Sequence, residues 1–255
     1  MITSWKDVTI EKYQEICDVV SEGIEKNIDL ISILTEKDSE EIRQMPLPEV
    51  FAMVEDMKFL STPPNADVIK RFTLDGVEYG LIPDFNFIKY GEWLDGDTWK
   101  DKAIENMHLY AALLFRPIKE SRAEDDYDIL PHSPNGFTYR SNLFREKLSV
   151  EKIYGAQLFF SLFALEYLET LPTYLERQTN QKTKAKKTSK KKTAASYEEK
   201  KAEAFNRTFG WYHLIATLAD NDLTKMEEYY NMTLISILNH LSYMSAAGIK
   251  KTIKQ

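Results

Sequence analysis

One cysteine, Cys17, stands in 255 residues. That excludes an internal disulfide and any zinc site built from several thiolates. The nine glycines are scattered, so there is no Gly-rich phosphate loop, and no serine elbow occurs. No stretch approaches the roughly 20 consecutive apolar residues that a membrane-spanning helix needs. The first residues, from Met1 and Ile2 to Trp5, Lys6 and Asp7, lack the basic and continuous apolar regions of a secretory leader. The expectation is a protein that acts, or joins an assembly, inside a cell, with no membrane partner.

Histidine is also scarce: His108, His132, His213 and His240 make the full set. His108 and Glu105 are three residues apart, a spacing that puts both on one helix face. A metal-dependent enzyme would need at least one more ligand, such as a carboxylate from Asp125, Asp126 or Asp128. That acidic segment lacks the central glycine and closing glutamate of a calcium loop, and Tyr127 interrupts it. The expected reading is a structural histidine, a solvated acidic loop, no metal, no cofactor and no catalytic residue. Cys17 falls in the pattern Tyr13, Ile16, Cys17, Val20 and is expected to be a buried, inert thiol.

Charge is present but unevenly placed. Seven lysines and no acid lie between Lys182 and Lys192, which leaves about −14 on the rest of a chain whose net charge is −7. An acidic body is a poor general binder of duplex DNA, because that affinity comes from neutralising phosphates. Lys182, Lys184, Lys186, Lys187, Lys190, Lys191 and Lys192 have three readings: a solvated tether, a contact for an acidic protein surface, or a phosphate contact. No aromatics interleave with them, so base stacking is not expected, and any nucleic-acid contact would be sequence-blind and salt-dependent.

Apolar periodicity predicts a mainly α chain. Thr9 caps a first helix running to about Ser21, followed by short helices around Ile28–Leu34 and from Asp38 or Ser39. Pro48 suits the first turn of a helix carrying Val50, Phe51 and Val54. Asp75-Gly76 between β-prone runs predicts one hairpin at about 68–82. Phe85, Phe87, Tyr90, Trp93 and Leu94 form an aromatic knot before an expected Asp95-Gly96 turn. A helix from Asp97 or Thr98 is expected to end before Pro117, and residues 121–136 to form a surface loop. The helix from about Ser149 is apolar nearly all round, as a helix central to the lobe or one facing a partner would be. After the connector come a helix over 198–219, a turn at Asp220–Asp222, a short helix capped by Asp222, and a last helix from Asn231. The domains read as 1–177, a helical lobe with the hairpin; 178–196, a basic extended connector; and 197–255, a small C-terminal helical module.

Two patches carry a resemblance. Trp5-Lys6-Asp7-Val8-Thr9-Ile10 with Lys12-Tyr13, and Gly210-Trp211-Tyr212 with Leu218-Ala219-Asp220-Asn221-Asp222 and Lys225-Met226-Glu227-Glu228, resemble the two ends of a group of tailed-bacteriophage proteins. That group includes tail-assembly chaperones and ring proteins of the head–tail connector. The resemblance implies a non-catalytic structural protein that binds copies of itself and phage portal, connector or tail proteins. It further implies a protein assembled in the host cytoplasm and either retained in the virion or, as a chaperone, released. Buried aromatics are the usual anchors of interfaces, which makes Trp93, Trp211, Tyr212, Phe85 and Phe87 the expected contact residues.

Overall fold

The computed structural model describes residues 2–170 and 197–249. The seven connector lysines, Lys182 to Lys192, lie outside them. The chain divides into two compact units. The first comprises Met1–Pro83 and Trp99–Phe163, and the second Asp84–Thr98 and Ala164–Gln255. The aromatic knot expected in the first lobe therefore belongs with the C-terminal part.

The first unit opens with α1 (Ile10–Asp18), α2 (Gly23–Thr35), α3 (Ser39–Gln44) and α4 (Leu47–Asp56). Thr9 Oγ1 accepts from the Lys12 N–H, and Asp38 accepts from the Glu40 N–H, so both expected caps are in place. Pro48 lies in the first turn of α4, where a missing N–H costs nothing. Cys17 is exposed rather than buried, because α1 turns Ile10, Tyr13 and Gln14 inward instead.

Four strands follow, not two. β1 (Arg71–Leu74) and β2 (Val77–Leu81) form the expected hairpin, with Asp75 at φ 48° and Gly76 at φ 77°. β3 (Phe115–Ala123) and β4 (Asp126–Ile129) form a second hairpin where a loop was expected, and the antiparallel order is β1-β2-β3-β4. Tyr127 locks the hairpins together. Its hydroxyl lies 2.9 Å from the carbonyls of both Lys70 and Leu81, and its ring occupies the space that a Cβ on Gly80 would need. Phe72, Tyr79, Phe115 and Phe144 pack as a ring cluster with centroids 4.9–5.7 Å apart.

Between the hairpins runs α6 (Met107–Leu114), buried at six of its eight positions. α5 (Tyr90–Trp99) precedes it, so the expected turn at Asp95-Gly96 is helical instead, and neither residue has positive φ. α7 (Pro134–Lys147) packs on α6 and brings in Arg140, only 5% exposed. Its Nη2 donates to the Ala112 carbonyl at 3.1 Å, an acceptor in the last turn of α6 that the helix itself leaves unpaired. Burial, then the neighbouring Arg116, pushes the Arg140 guanidinium down to about 10. α8 (Val150–Thr170) buries Ile153, Ala156 and Phe160 but exposes Leu158, Phe159 and Leu162. Its apolar girth is divided between core and surface rather than buried all round.

The second unit contains most of α5, then α9 (Tyr197–Leu218), α10 (Leu223–Asn231) and α11 (Leu234–Ala246). Asp222 caps α10 as expected, through the Thr224 and Lys225 N–H groups. The last helix starts later than expected, because Thr233 rather than Asn231 accepts from the first turn, through the Ser236 N–H. Among the described residues no helix is long and apolar enough to cross a membrane.

The same joint occurs once in each unit. Ile10 N–H donates to Leu148 O and Val150 N–H to Val8 O, both at 2.9 Å, so α1 and α8 begin side by side. In the second unit Tyr90 N–H donates to Met232 O and Leu234 N–H to Ile88 O, again at 2.9 Å. The residues that carry these joints alternate: Val8-Thr9-Ile10, Leu148-Ser149-Val150, Ile88-Lys89-Tyr90 and Met232-Thr233-Leu234.

Two glycines in long helices should respond in opposite directions. A Cβ on Gly155 would lie 2.3 Å from Asp67 O and 2.5 Å from Ala66 O, whereas one on Gly210 meets nothing within 4 Å. Gly155→Ala should destabilise the first unit by about 1–3 kcal/mol through overpacking. Gly210→Ala should stabilise by about 0.5–1 kcal/mol through helix propensity. Thermal or urea unfolding of the two variants checks the sign of each.

Candidate interaction surfaces

Among the described residues several helices hold apolar side chains in water, α4 in the first unit and α9 in the second among them. In the first unit α4 has the sequence LPEVFAMVED and buries none of its ten residues. Leu47 and Phe51, one turn apart, are 70% and 65% exposed. Val50, Met53 and Val54 are half-buried. A surface helix ordinarily turns its whole apolar stripe to the core; α4 turns in only part of it. The first turn of α2 adds Ile24, and Val20 stands just before it. Arg43, four residues before Leu47, is ion-paired to Glu25 at 2.6 Å, which ties the start of α2 to the approach to α4. The charges on α4 are Glu49, Glu55 and Asp56, with no cation; Lys58, just beyond, pairs with Glu55.

In the second unit α9 is buried toward its C-terminal end and carries exposed aromatic side chains before it. Leu214, Ile215, Leu218 and Ala219 are buried. Phe205, Phe209 and Tyr212 are each a little under half exposed, with the Phe205 and Phe209 rings 5.5 Å apart. From Ala204 to Ala219 the sequence contains no carboxylate.

The five aromatic contact residues expected from sequence have different environments. Trp93 is 1% exposed and is core of the second unit, so it cannot present itself to a partner in this conformation. Trp211 is half-buried, edge-on to Tyr90 and Trp93 at 5.9 and 6.2 Å, and its carbonyl accepts from the Tyr90 hydroxyl at 2.8 Å. Burial pushes the Tyr90 phenol well above its ordinary range. Phe85 is half-buried, while Phe87 and Tyr212 are exposed. Sequence reasoning passed over Leu47, Phe51, Phe205 and Phe209. The available signal was α4 itself, whose apolar residues fall on two adjacent i, i+4 stripes, more than one packed side consumes.

The groups weighed for metal chemistry are otherwise engaged. Gln14 Nε2 lies 3.4 Å from His108 Nδ1 and donates to the carbonyls of Ile104 and Glu105. Burial, then Arg145, lowers the His108 pKa. The Glu105 carboxylate pairs with Lys102, and Asp125 with Lys70. Arg122 forks onto Asp126 at 2.9 Å and Asp128 at 2.8 Å. Among the described residues no group of three or more His, Cys, Asp or Glu side chains converges as a metal would require. A shallow depression of about 600 Å³ at the α1–α2 edge is crossed by the Lys12–Glu36 ion pair, 2.5 Å long. That pair holds the Glu36 carboxyl below its ordinary range.

The Arg122 fork yields a pH prediction. The guanidinium lowers the Asp128 carboxyl below its ordinary 3.8. The folded value is the depressed one, so the fork's contribution is complete above that ordinary value and is lost as pH falls through the lowered one. In Arg122→Gln the Asp128 carboxyl should titrate back near the ordinary value. Carboxylate NMR titration of the two proteins reads this directly, and an unchanged Asp128 would contradict the assignment.

Comparison with known proteins returned no matching family model, no matching curated protein and no matching solved structure.

Proposed function

We propose that this chain is a non-catalytic structural protein of a tailed-bacteriophage particle that associates with copies of itself in the head–tail connector or tail region. The observation that carries self-association is α4, an apolar helix with Leu47 and Phe51 in water and no residue buried. Exposed apolar surface of this kind marks contact sites in soluble proteins, and an i, i+4 pair of large side chains is how an amphipathic helix engages a groove. The phage setting is supported by the resemblance of the Trp5–Tyr13 and Gly210–Glu228 segments. In this reading the portal, connector or tail proteins are the neighbours. The lysines from Lys182 to Lys192 supply salt-sensitive contacts to an acidic protein surface or to phosphate.

Light scattering on the purified chain tests the reading. The expected result is a species larger than one chain at micromolar concentration, shifted toward monomer in Phe51→Glu. A monomer both alone and with portal or tail proteins present would overturn it. Mass spectrometry of purified particles locates the protein: retention fits a ring or tail component. Self-association with absence from particles would replace the virion assignment with that of a transient assembly chaperone.

A further inference from the structure

We propose that the first turn of α7, with Arg140 beneath it, binds a phosphate group. Such a site does not depend on association between copies. Arg140 is the residue that calls for a ligand. Its side chain is 5% exposed, and among the described residues it makes one hydrogen bond, from Nη2 to the Ala112 carbonyl, and no ion pair. Its Nε is sealed from water with no partner. Burial, then Arg116 (itself 5% exposed), pushes the guanidinium down to about 10, so it stays charged at neutral pH. A charge buried without a counter-ion is costly, and a nearby acid ordinarily supplies one. Among the described residues no carboxylate does so for Arg140.

The guanidinium is aimed at the start of α7. Helical side chains lean back toward the N-terminus, and Nη1 lies 3.2 Å from where a Cβ on Gly136 would stand. Ser133 Oγ lies 2.7 Å from the same point. Glycine keeps that space open. Ser133 occupies the cap position, yet its hydroxyl does not cap the helix. The N–H groups of Asn135 and Gly136 have no backbone acceptor among the described residues. Ser133 and Asn135 are exposed, so an anion reaches this turn from water. The partial positive charge of the helix start and the Arg140 guanidinium face the same spot, and an anion between them relieves their repulsion. The donors there are backbone N–H groups, a hydroxyl and Nη1. A phosphate has enough oxygens to accept from all of them, which a carboxylate does not.

Titration of the full chain at neutral pH tests the site, with inorganic phosphate and with glycerol phosphate, a plain monoester. Amide NMR reads each titration against chloride at matched ionic strength. Saturable shifts centred on the Asn135 and Gly136 amides are expected. Ser133→Asp sets a carboxylate at the same turn, at an exposed position and as a good cap, so the fold should hold and the phosphate response should vanish. Arg140→Met should weaken binding at least about tenfold, by removing the charged donor. If that variant does not fold, Ser133→Asp decides alone.

A tighter response to the ester marks a phosphate carried on a larger molecule, and an equal response marks the free ion; either upholds the site. No saturable shift with either probe, or a titration unchanged in Ser133→Asp, overturns it. Acetate binding as tightly as phosphate also overturns it, in favour of a carboxylate side chain from a neighbouring protein.

Discussion

The first N–H groups of a helix have no acceptor within it, and in this protein four helices share a solution to that problem. Each is preceded by an extended residue, and the N–H of its first residue crosses to the carbonyl of the residue just before the cap of another helix. Helices α1 and α8 are joined this way, with Val8, Ile10, Leu148 and Val150 all between 0% and 2% exposed. Helices α5 and α11 are joined the same way, with Ile88, Tyr90 and Leu234 at 0–1%. Such a bond contributes only about 0.5–1.5 kcal/mol net, but an orphaned N–H at these buried positions would cost about 1–3 kcal/mol. The joint thus fixes the point at which sequence-distant segments meet and the register in which their apolar faces close.

Register explains what remains outside. Once α1 and α8 are pinned at their first residues, the sides they can bury are set. Ile153, Ala156 and Phe160 go inward, leaving Leu158, Phe159 and Leu162 on the far side. In the second unit Phe205 and Phe209 of α9 are likewise left exposed while Leu214 and Leu218, further along the helix, are buried. The exposed apolar residues are a consequence of helices with more apolar circumference than one contact can cover. α4 departs furthest, since none of its positions is buried.

Local signals were legible wherever chemistry forces a backbone conformation. Thr9, Asp38 and Asp222 were readable as caps, Pro48 as a first-turn residue and Asp75-Gly76 as a hairpin turn, because each follows from donors, fixed φ or positive φ. The second hairpin was not legible. Register shifts between Ile118 and Glu120, and between Ser121 and Ala123, break the alternation that marks a strand, and the turn at Glu124-Asp125 has no glycine. Asp95-Gly96 misled because a turn dipeptide becomes helical when its flanks, Tyr90 and Trp93, are pulled into a core. The aromatic contact residues were identified by type, but type does not distinguish Trp93 in the core from Phe87 in water. The paired joints had a faint sequence signal, Val8-Thr9-Ile10-Glu11-Lys12 repeated as Leu148-Ser149-Val150-Glu151-Lys152. Its meaning needs the long-range pairing that periodicity does not report.

Amide hydrogen exchange resolved by residue tests the central role of the joints. Ile10, Tyr90, Val150 and Leu234 each occupy the first helical position, where an isolated helix leaves the N–H to solvent. The joints predict that these four amides are protected to the level of the helix interiors that follow them. Exchange at the rate of unbonded first-turn amides, with the interiors still protected, would contradict it.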